Sequence, residues 1–400
     1  MVRHKKKIAI KMKNPKITVL ILTPYFLPGY KAGGPIQSLR NLISHLSNRI
    51  NFKIITPDHD LGEKKAYSGI TSDRWNRVYG VDVFYLSDKN MTLPKIGHLI
   101  KNTNHDVRYY NSFFYPYLTI YPLLLEKMRR IPRMPSILAP RGEMAPRALQ
   151  LNKSKKKIFL GVARLLNLYS NLNWQVSSKH EKEQLRKILS VNSNRIEIIP
   201  NLPPKLDFDV KPRKSSKESG KVRLVFISRI APIKNLSGAL TLLKKVRGQV
   251  TFDIYGPKED RTYFDLCMRL KKELPNNILI NYHGPVSHDQ VATVLQQYDF
   301  LFFPSKDENF GHIILEAFLS GTPVIISDRT PWLELDKYQA GWAIELEDRQ
   351  RFAEVLNYCV KMNTSEHQKL CEGAMNVALN YLNDGRIVEK TFEMFARLAR

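Results

Sequence analysis

The chain predicts an α/β protein of two doubly wound domains, each an open, mostly parallel sheet flanked by helices. Three observations carry this. Its 400 residues exceed what one hydrophobic core usually holds and suit two domains of about 150–200 residues. Strand patterns alternate with helical ones in both halves, the order that produces parallel sheets. Residues 204–220 are rich in Pro, Lys and Ser, carry few apolar side chains and read as a linker. The expected division is a basic tail over 1–15, a first domain over 16–203, the linker over 204–220, a second domain over 221–383 and a last helix over 384–400.

Residues 17–23, Ile-Thr-Val-Leu-Ile-Leu-Thr, form one apolar run, as a strand buried on both faces requires. Turn-forming stretches over 24–28 and 31–35 follow. Apolar Ile36, Leu39, Leu42, Ile43 and Leu46 are then spaced along one helix face. Residues 52–56, 81–86, 136–139 and 174–178 read as further strands. The last of these feeds a helix over 179–189, and 196–200 closes the half. After the linker the pattern restarts with strands at 222–227, 251–255, 278–282 and 300–303. Helices are expected near 236–246 and over 260–273. No sequence repeat relates the halves, so their likeness is architectural.

Residues 303–323 hold the densest chemical signal. Glu308 and Glu316 flank Asn309-Phe310-Gly311, a loop-to-helix turn. His312 to Ser320 read as a short helix ended by Gly321 and Pro323, and Val324-Ile-Ile follows as a buried strand. Glu308 therefore falls on the loop before the helix and Glu316 on the helix. Unpaired N–H groups at that helix start favour an anion such as a phosphate. A carboxylate is acceptor-only and suits vicinal hydroxyls. Taken singly, Glu308 reads equally well as a capping residue and Glu316 as a surface glutamate. The whole string, with Pro304-Ser305 before it and Glu316-Ala-x-x-x-Gly-x-Pro-Val after it, is far more specific.

That string resembles glycosyltransferase family 4, retaining enzymes of the GT-B fold, in which two Rossmann-like domains face a cleft. The resemblance implies that Glu308 holds hydroxyls of a donor sugar together with the backbone of Phe310, Gly311 and His312, with Ile313 beside them. It assigns Glu316 to the ribose hydroxyls. The segment over 228–235 matches the family's G-R-L-x-x-x-K-G, with Ser228 and Asn235 in the glycine positions. Arg229 and Lys234 would then neutralise the donor diphosphate, and Asn235 joins the donor set. A leaving nucleoside diphosphate gains charge in the transition state, so fixed cations stabilise it there more than in the ground state. Gly256 and Val286 fall in two turns that resemble the family's base-cradling segments. Gly33-Gly34 matches its glycine-rich loop, where glycine lets backbone approach a ligand. Asn111 stands where many relatives place a histidine against the reacting sugar, and it completes a catalytic set with Glu308, Arg229 and Lys234. Arg141 is expected near the diphosphate or acceptor and Glu143 near an acceptor hydroxyl. His105 is a further candidate or a surface turn residue. The resemblance also implies that the helix over 384–400 crosses back to the first domain.

No metal or cofactor is expected. Asp58-His59-Asp60 is a D-x-D triplet but reads as a polar loop in this fold, and Cys267, Cys359 and Cys371 have no metal-ligand spacing. Three cysteines make no complete disulfide framework and fit a reducing cytoplasm. The N-terminus lacks the apolar core of a signal peptide.

The net charge of +26 is lopsided. Residues 1–200 hold 35 Lys and Arg against 12 Asp and Glu, whereas residues 201–400 hold 28 against 25. Such a field favours nucleic acid, an anionic membrane or an anionic substrate. Lys153, Lys155, Lys156 and Lys157 precede an apolar stretch over 158–166. Arg129, Arg130 and Arg133 follow another over 117–125. Basic clusters beside apolar helices suit an anionic membrane surface, with cytoplasmic, peripheral placement on the inner face of the plasma membrane. The expected partners are a nucleotide-sugar donor and a glycolipid or polyprenyl-diphosphate-linked acceptor, for cell-surface glycan assembly. A basic nucleic-acid-binding protein, a sugar-nucleotide epimerase of the same fold and a degenerate partner subunit are the alternatives. The chain has no recognisable nucleic-acid motif and no evident epimerase acid–base set.

Overall fold

The computed structural model describes residues 16–145, 149, 153–189, 191–205 and 213–399. The basic tail over 1–15 and the middle of the expected linker, 206–212, lie outside them. The first sheet comprises β1 (Ile17–Leu22), β2 (Ile50–Pro57), β3 (Trp75–Val78), β4 (Val81–Leu86), β5 (Val107–Tyr110), β6 (Ser136–Leu138), β7 (Asn173–Val176) and β8 (Ile196–Ile198). Their order is β3-β4-β2-β1-β5-β6-β7-β8, parallel except for the β3–β4 hairpin at one edge. The second sheet comprises β9 (Lys221–Ile227), β10 (Gln249–Tyr255), β11 (Ile278–Gly284), β12 (Phe300–Phe303), β13 (Val324–Ser327) and β14 (Gly341–Ile344), in the order β11-β10-β9-β12-β13-β14 and wholly parallel.

The helices of the first half are α1 (Gly34–Leu46), α2 (Leu93–Lys101), α3 (Tyr121–Lys127), α4 (Lys153–Leu165) and α5 (Lys179–Leu189). Those of the second half are α6 (Leu236–Leu243), α7 (Arg261–Lys272), α8 (His288–Leu295), α9 (His312–Leu319), α10 (Arg349–Lys361), α11 (Thr364–Leu382) and α12 (Gly385–Leu398). No helix among the described residues is long and apolar enough to cross a membrane.

Each sheet is covered on both faces. Along β1, Leu20 and Leu22 join one buried cluster while Val19 and Ile21 join another, because alternate side chains leave a strand on opposite faces. The second domain closes around Leu224, Phe226, Phe252 and Phe302. The last helix belongs to the first domain's core. Its Phe395 stands edge-on to Phe52 at 6.5 Å and lies 5.6 Å from Tyr109. Arg49 grips Glu389 through two bonds of 2.6 and 3.0 Å.

Three strands carry little sequence signal. β3 alternates half-exposed and exposed residues, and its turn uses Tyr79 and Gly80, both at positive φ (49° and 73°). That pair of left-handed residues is what a two-residue hairpin needs, but tyrosine disguises it. β5 and β14 are four residues each and lie among aromatic or small side chains. Residues 213–220, expected in the linker, pack onto the second domain instead. Arg213 donates to the Thr322 hydroxyl at 2.7 Å. Lys217 is buried, and its ammonium donates to the carbonyls of Glu218 (2.6 Å), Val360 and Met362 (3.3 Å each). The last two are end-of-helix carbonyls of α10, which lack partners within the helix.

Candidate active site

A cavity of about 1310 Å³ separates the two domains. It opens at the C-terminal ends of the parallel strands, where doubly wound sheets present their loops. From the first domain it is lined by Gly33, Gly34, Asn111 and Arg141. From the second it is lined by Arg229, Lys234, Gly256, Val286, Glu308, Phe310, Gly311, His312, Ile313 and Glu316. The structure thus brings together every residue of the expected donor set except Asn235.

Asn235 lies beneath the cavity wall rather than in it. It is buried, has φ 61°, and its amide donates to the Pro304 carbonyl at 2.9 Å. The chain must turn through the left-handed region to enter α6. Asparagine tolerates that conformation best after glycine, which explains its place in a glycine position. Its role is to shape the Lys234 loop.

On the second-domain wall, Lys234 forms an ion pair with Glu308, and both are largely buried. Glu308 is also 3.4 Å from the Ser305 hydroxyl. Arg229 pairs with Glu259 from the loop after β10. Gly311 adopts φ 75° at the start of α9; a Cβ there would fall 2.7 Å from the Ile314 side chain. The glycine therefore frees the first N–H groups of α9 to face the cavity. Phe310 is buried between His312, Trp332 and Tyr381, and Trp332 donates its indole N–H to the Phe310 carbonyl at 2.6 Å. This aromatic bed fixes the turn between Glu308 and α9.

His312 reaches across the cleft. Its Nε2 is 3.1 Å from the Ser38 hydroxyl of α1, and a Cβ on Gly34 would sit 3.3 Å from its ring. Burial, helped by Arg141 and His288, pushes its imidazole down to about 3, so it is neutral at physiological pH. Glu316 points in from α9 with His288 Nδ1 3.6 Å away. Burial raises its carboxyl to about 8, opposed by Arg40 of α1. Burial therefore favours the protonated form of Glu316 at neutral pH.

On the first-domain wall, Gly33 has φ 66° and directly precedes α1. The loop before it is pinned by Asp60, whose carboxylate accepts the N–H groups of Tyr30 (2.9 Å) and Lys31 (3.1 Å). Asp58 accepts the Ser72 hydroxyl at 2.6 Å and sits 3.0 Å from His59 Nδ1. The D-x-D triplet thus fastens the glycine loop. Among the described residues no group of three His, Cys, Asp or Glu is arranged to hold a metal ion.

Asn111 lies at the end of β5, buried, with its oxygen accepting Arg141 Nε at 2.7 Å. Arg141 donates further to Asn201 (2.6 Å) and the Tyr109 hydroxyl (2.7 Å). All three acceptors are neutral, so none of them offsets the positive charge that Arg141 presents beside the cavity. Glu143 lines the cavity beside Arg141. Its oxygens accept the Ser112 hydroxyl and the N–H groups of Phe113 and Phe114 at 2.7–2.9 Å, which closes the turn after β5. His105 sits at the opposite end of β5, bonded to the Thr103 carbonyl and to Arg108.

Glu181, Asn201, His288 and Glu259 escaped the sequence reading. Glu181 accepts Gly142 N–H (3.0 Å), Ser177 N–H (2.7 Å) and, across the cleft, the Asn309 amide (3.2 Å). Glu181 sits three residues after Ser178, whose hydroxyl accepts its N–H at 3.1 Å, a local helix-start pattern, but its partners Gly142 and Asn309 come only through the fold. Asp60 did carry a signal, as a polar pair directly after a strand.

Comparison with solved structures places this architecture. HepE of Anabaena, solved with UDP and glucose and also with UDP-glucose, matches with a TM-score of 0.70 at 16% identity, over 96% of this chain and all of that one. WaaG, a glycosyltransferase involved in lipopolysaccharide biosynthesis, matches with a TM-score of 0.64 at 13% identity, over 95% of this chain and 99% of that one. The fold is GT-B, two Rossmann-like domains about a cleft.

Residues 207–376 match the family model described as glycosyl transferases group 1. A 41.2 kDa protein of the cps region of Klebsiella pneumoniae is 22% identical over 216 residues, 52% of this chain and 57% of that protein. A glycosyltransferase of Methanocaldococcus jannaschii is 24% identical over 186 residues, 44% of this chain and 47% of its own. The chain spans about half the length of these curated relatives. Residues 207–376 are thus similar to the group 1 glycosyl transferases, within a chain whose fold is GT-B.

Proposed function

We propose that the protein is a retaining family 4 glycosyltransferase of the hexosyltransferase class. It moves a sugar from a nucleoside-diphosphate donor to a lipid-linked or polysaccharide acceptor in cell-surface glycan assembly. The observation that carries this is the convergence of Arg229, Lys234, Glu308 and Glu316 on one cleft wall, facing the Gly33-Gly34 loop. Two cations receive the diphosphate, the start of α9 offers N–H groups, and two carboxylates meet hydroxyls of sugar and ribose. The leaving diphosphate is stabilised by fixed charge, and no metal is needed in this reading. HepE's complexes with UDP and UDP-glucose support a nucleotide donor, and the cps-region relative supports a surface-glycan setting.

We place the enzyme on the inner face of the plasma membrane, docked through α4. Ile158, Val162 and Leu165 lie on one face of that helix, exposed by 69%, 49% and 83%. Lys155 and Lys157 are exposed beside them, and the helix has no acidic residue. An apolar stripe with basic flanks matches an anionic bilayer, at about 1 kcal/mol per cation near the surface. The expected outcome is co-flotation with phosphatidylglycerol vesicles that is lost in Leu165→Glu, with full donor chemistry retained.

The reaction is tested by slow donor hydrolysis across a panel of nucleotide sugars. Release of a nucleoside diphosphate from one donor, abolished in Glu316→Ala, is expected. No release from any donor, with no thermal stabilisation by UDP, GDP or ADP, would overturn the reading.

A further inference from the structure

The two cations assigned to the donor diphosphate are each paired with a carboxylate. Lys234 holds Glu308, and Arg229 holds Glu259. The two pairs differ in kind. Lys234 and Glu308 are 15% and 11% exposed and packed into the wall, whereas Arg229 and Glu259 are 34% and 39% exposed. When a donor binds, Glu308 gains a second occupation at the donor-sugar hydroxyls. Glu259 has Arg229 as its one side-chain hydrogen-bond partner among the described residues.

The meeting of Arg229 and Glu259 is built into the backbone. Ile230 N–H donates to the Pro257 carbonyl at 2.9 Å, and Asp260 N–H donates back to the Ile230 carbonyl at 3.2 Å. These bonds lock the loop after β9 to the loop after β10 on either side of the pair. A Cβ at Gly256 would fall 1.7 Å from the Ser228 carbonyl oxygen, so glycine alone lets the loops approach this closely. Asp260 is fixed in turn, capping α7 by accepting Tyr263 N–H at 2.9 Å. Glu259 is therefore presented to Arg229 by a rigid frame, at the mouth of the cavity.

We infer that Glu259 is a stand-in anion for the donor diphosphate: it pairs with Arg229 and competes with the nucleoside diphosphate for that guanidinium. This rests on the donor-site reading above. An incoming diphosphate takes Arg229, and Glu259 turns to solvent. After transfer, Glu259 recaptures Arg229 and speeds departure of the nucleoside diphosphate. An exposed pair is weak, so the exchange costs little in either direction. Glu259 thereby trades donor affinity for product release.

The test is calorimetric titration of wild type and Glu259→Gln with UDP, GDP and ADP, and with the matching nucleosides. For the diphosphate that wild type binds, Glu259→Gln is expected to bind about two- to fivefold tighter, the range an exposed ion pair spans. Affinity for the nucleoside should be unchanged, and the gain should shrink at high salt. In the hydrolysis assay, the donor KM falls and kcat falls with it as release slows. Glu259→Asp, whose carboxylate withdraws by one methylene, should lie between wild type and Glu259→Gln, and it carries the test should Glu259→Gln fold poorly. Equal or weaker diphosphate binding in both variants, or an equal shift for the nucleoside, would overturn the inference. Wild type that binds none of the three diphosphates would overturn the donor-site reading itself, and that result appears before any variant is made.

Discussion

Glu316 combines a recognition role with a proton. Its carboxyl is raised by burial to about 8 from an ordinary 4.5. A neutral carboxyl is a poorer acceptor for two hydroxyls than a carboxylate. Donor affinity should therefore rise as pH increases from about 7 to 9, and Glu316→Gln should flatten that rise. Titration of the donor diphosphate at several pH values checks it. The same group leaves a mark on stability. The folded chain binds this proton more tightly than the unfolded chain does. Stability from this site is therefore greatest below about 4.5 and declines as pH rises through about 8. Glu316→Gln has no such proton, so its melting temperature relative to wild type should climb from pH 5 to about pH 8 and level off above it. A constant offset would mean that Glu316 is already ionised over that range in the folded chain.

At the scale of the element, α9 shows what the sequence makes legible. Glycine before an apolar eight-residue run, then glycine and proline, marks both helix ends, and the structure places the helix at His312–Leu319. The conformation behind the first glycine is equally explicit, because Gly311 has φ 75° and no room for a Cβ. Gly311→Ala should lose about 1–2 kcal/mol of stability through left-handed strain and the contact with Ile314. It should also raise donor KM more than it lowers kcat, since the α9 N–H groups shift together. Chemical denaturation beside initial-rate kinetics measures both. The elements that stayed hidden have physical reasons. β3 is an edge strand with a tyrosine in a left-handed turn. Residues 213–220 look like linker because they are basic, yet Lys217 is buried as a cap for the end of α10. A lysine that satisfies carbonyls is indistinguishable, in sequence, from one facing water. Asn235 reads as a site residue for the converse reason: it lies in a loop that lines the cleft, and only the fold shows that its side chain turns to the Pro304 carbonyl.

At the scale of the whole molecule, polar contacts among the described residues tie the two domains together across the cleft. Ser38 touches His312, the Ser177 hydroxyl lies 3.4 Å from the Asn309 carbonyl, and the Asn309 amide donates to Glu181. The last contact is the most informative, because Glu181 is buried and already holds Gly142 and Ser177 of its own domain. It is a fixed acceptor on the first domain, waiting for a donor that stands one residue after Glu308. The contact between the domains therefore seats Asn309 and holds the Glu308 turn against the first domain. Asn309→Asp replaces the amide with a second carboxylate at the same spot. Two like charges about 3 Å apart in a partly buried site oppose closure by about 2–5 kcal/mol. The expected result is a larger radius of gyration in solution scattering and a raised donor KM. Melting should change little, since each domain keeps its own core. Glu181→Gln in the Asn309→Asp chain removes the repulsion, so compactness and donor KM should both move back toward wild type. That recovery separates an electrostatic latch from local damage, because damage at Asn309 would add to the loss at Glu181 instead of cancelling it.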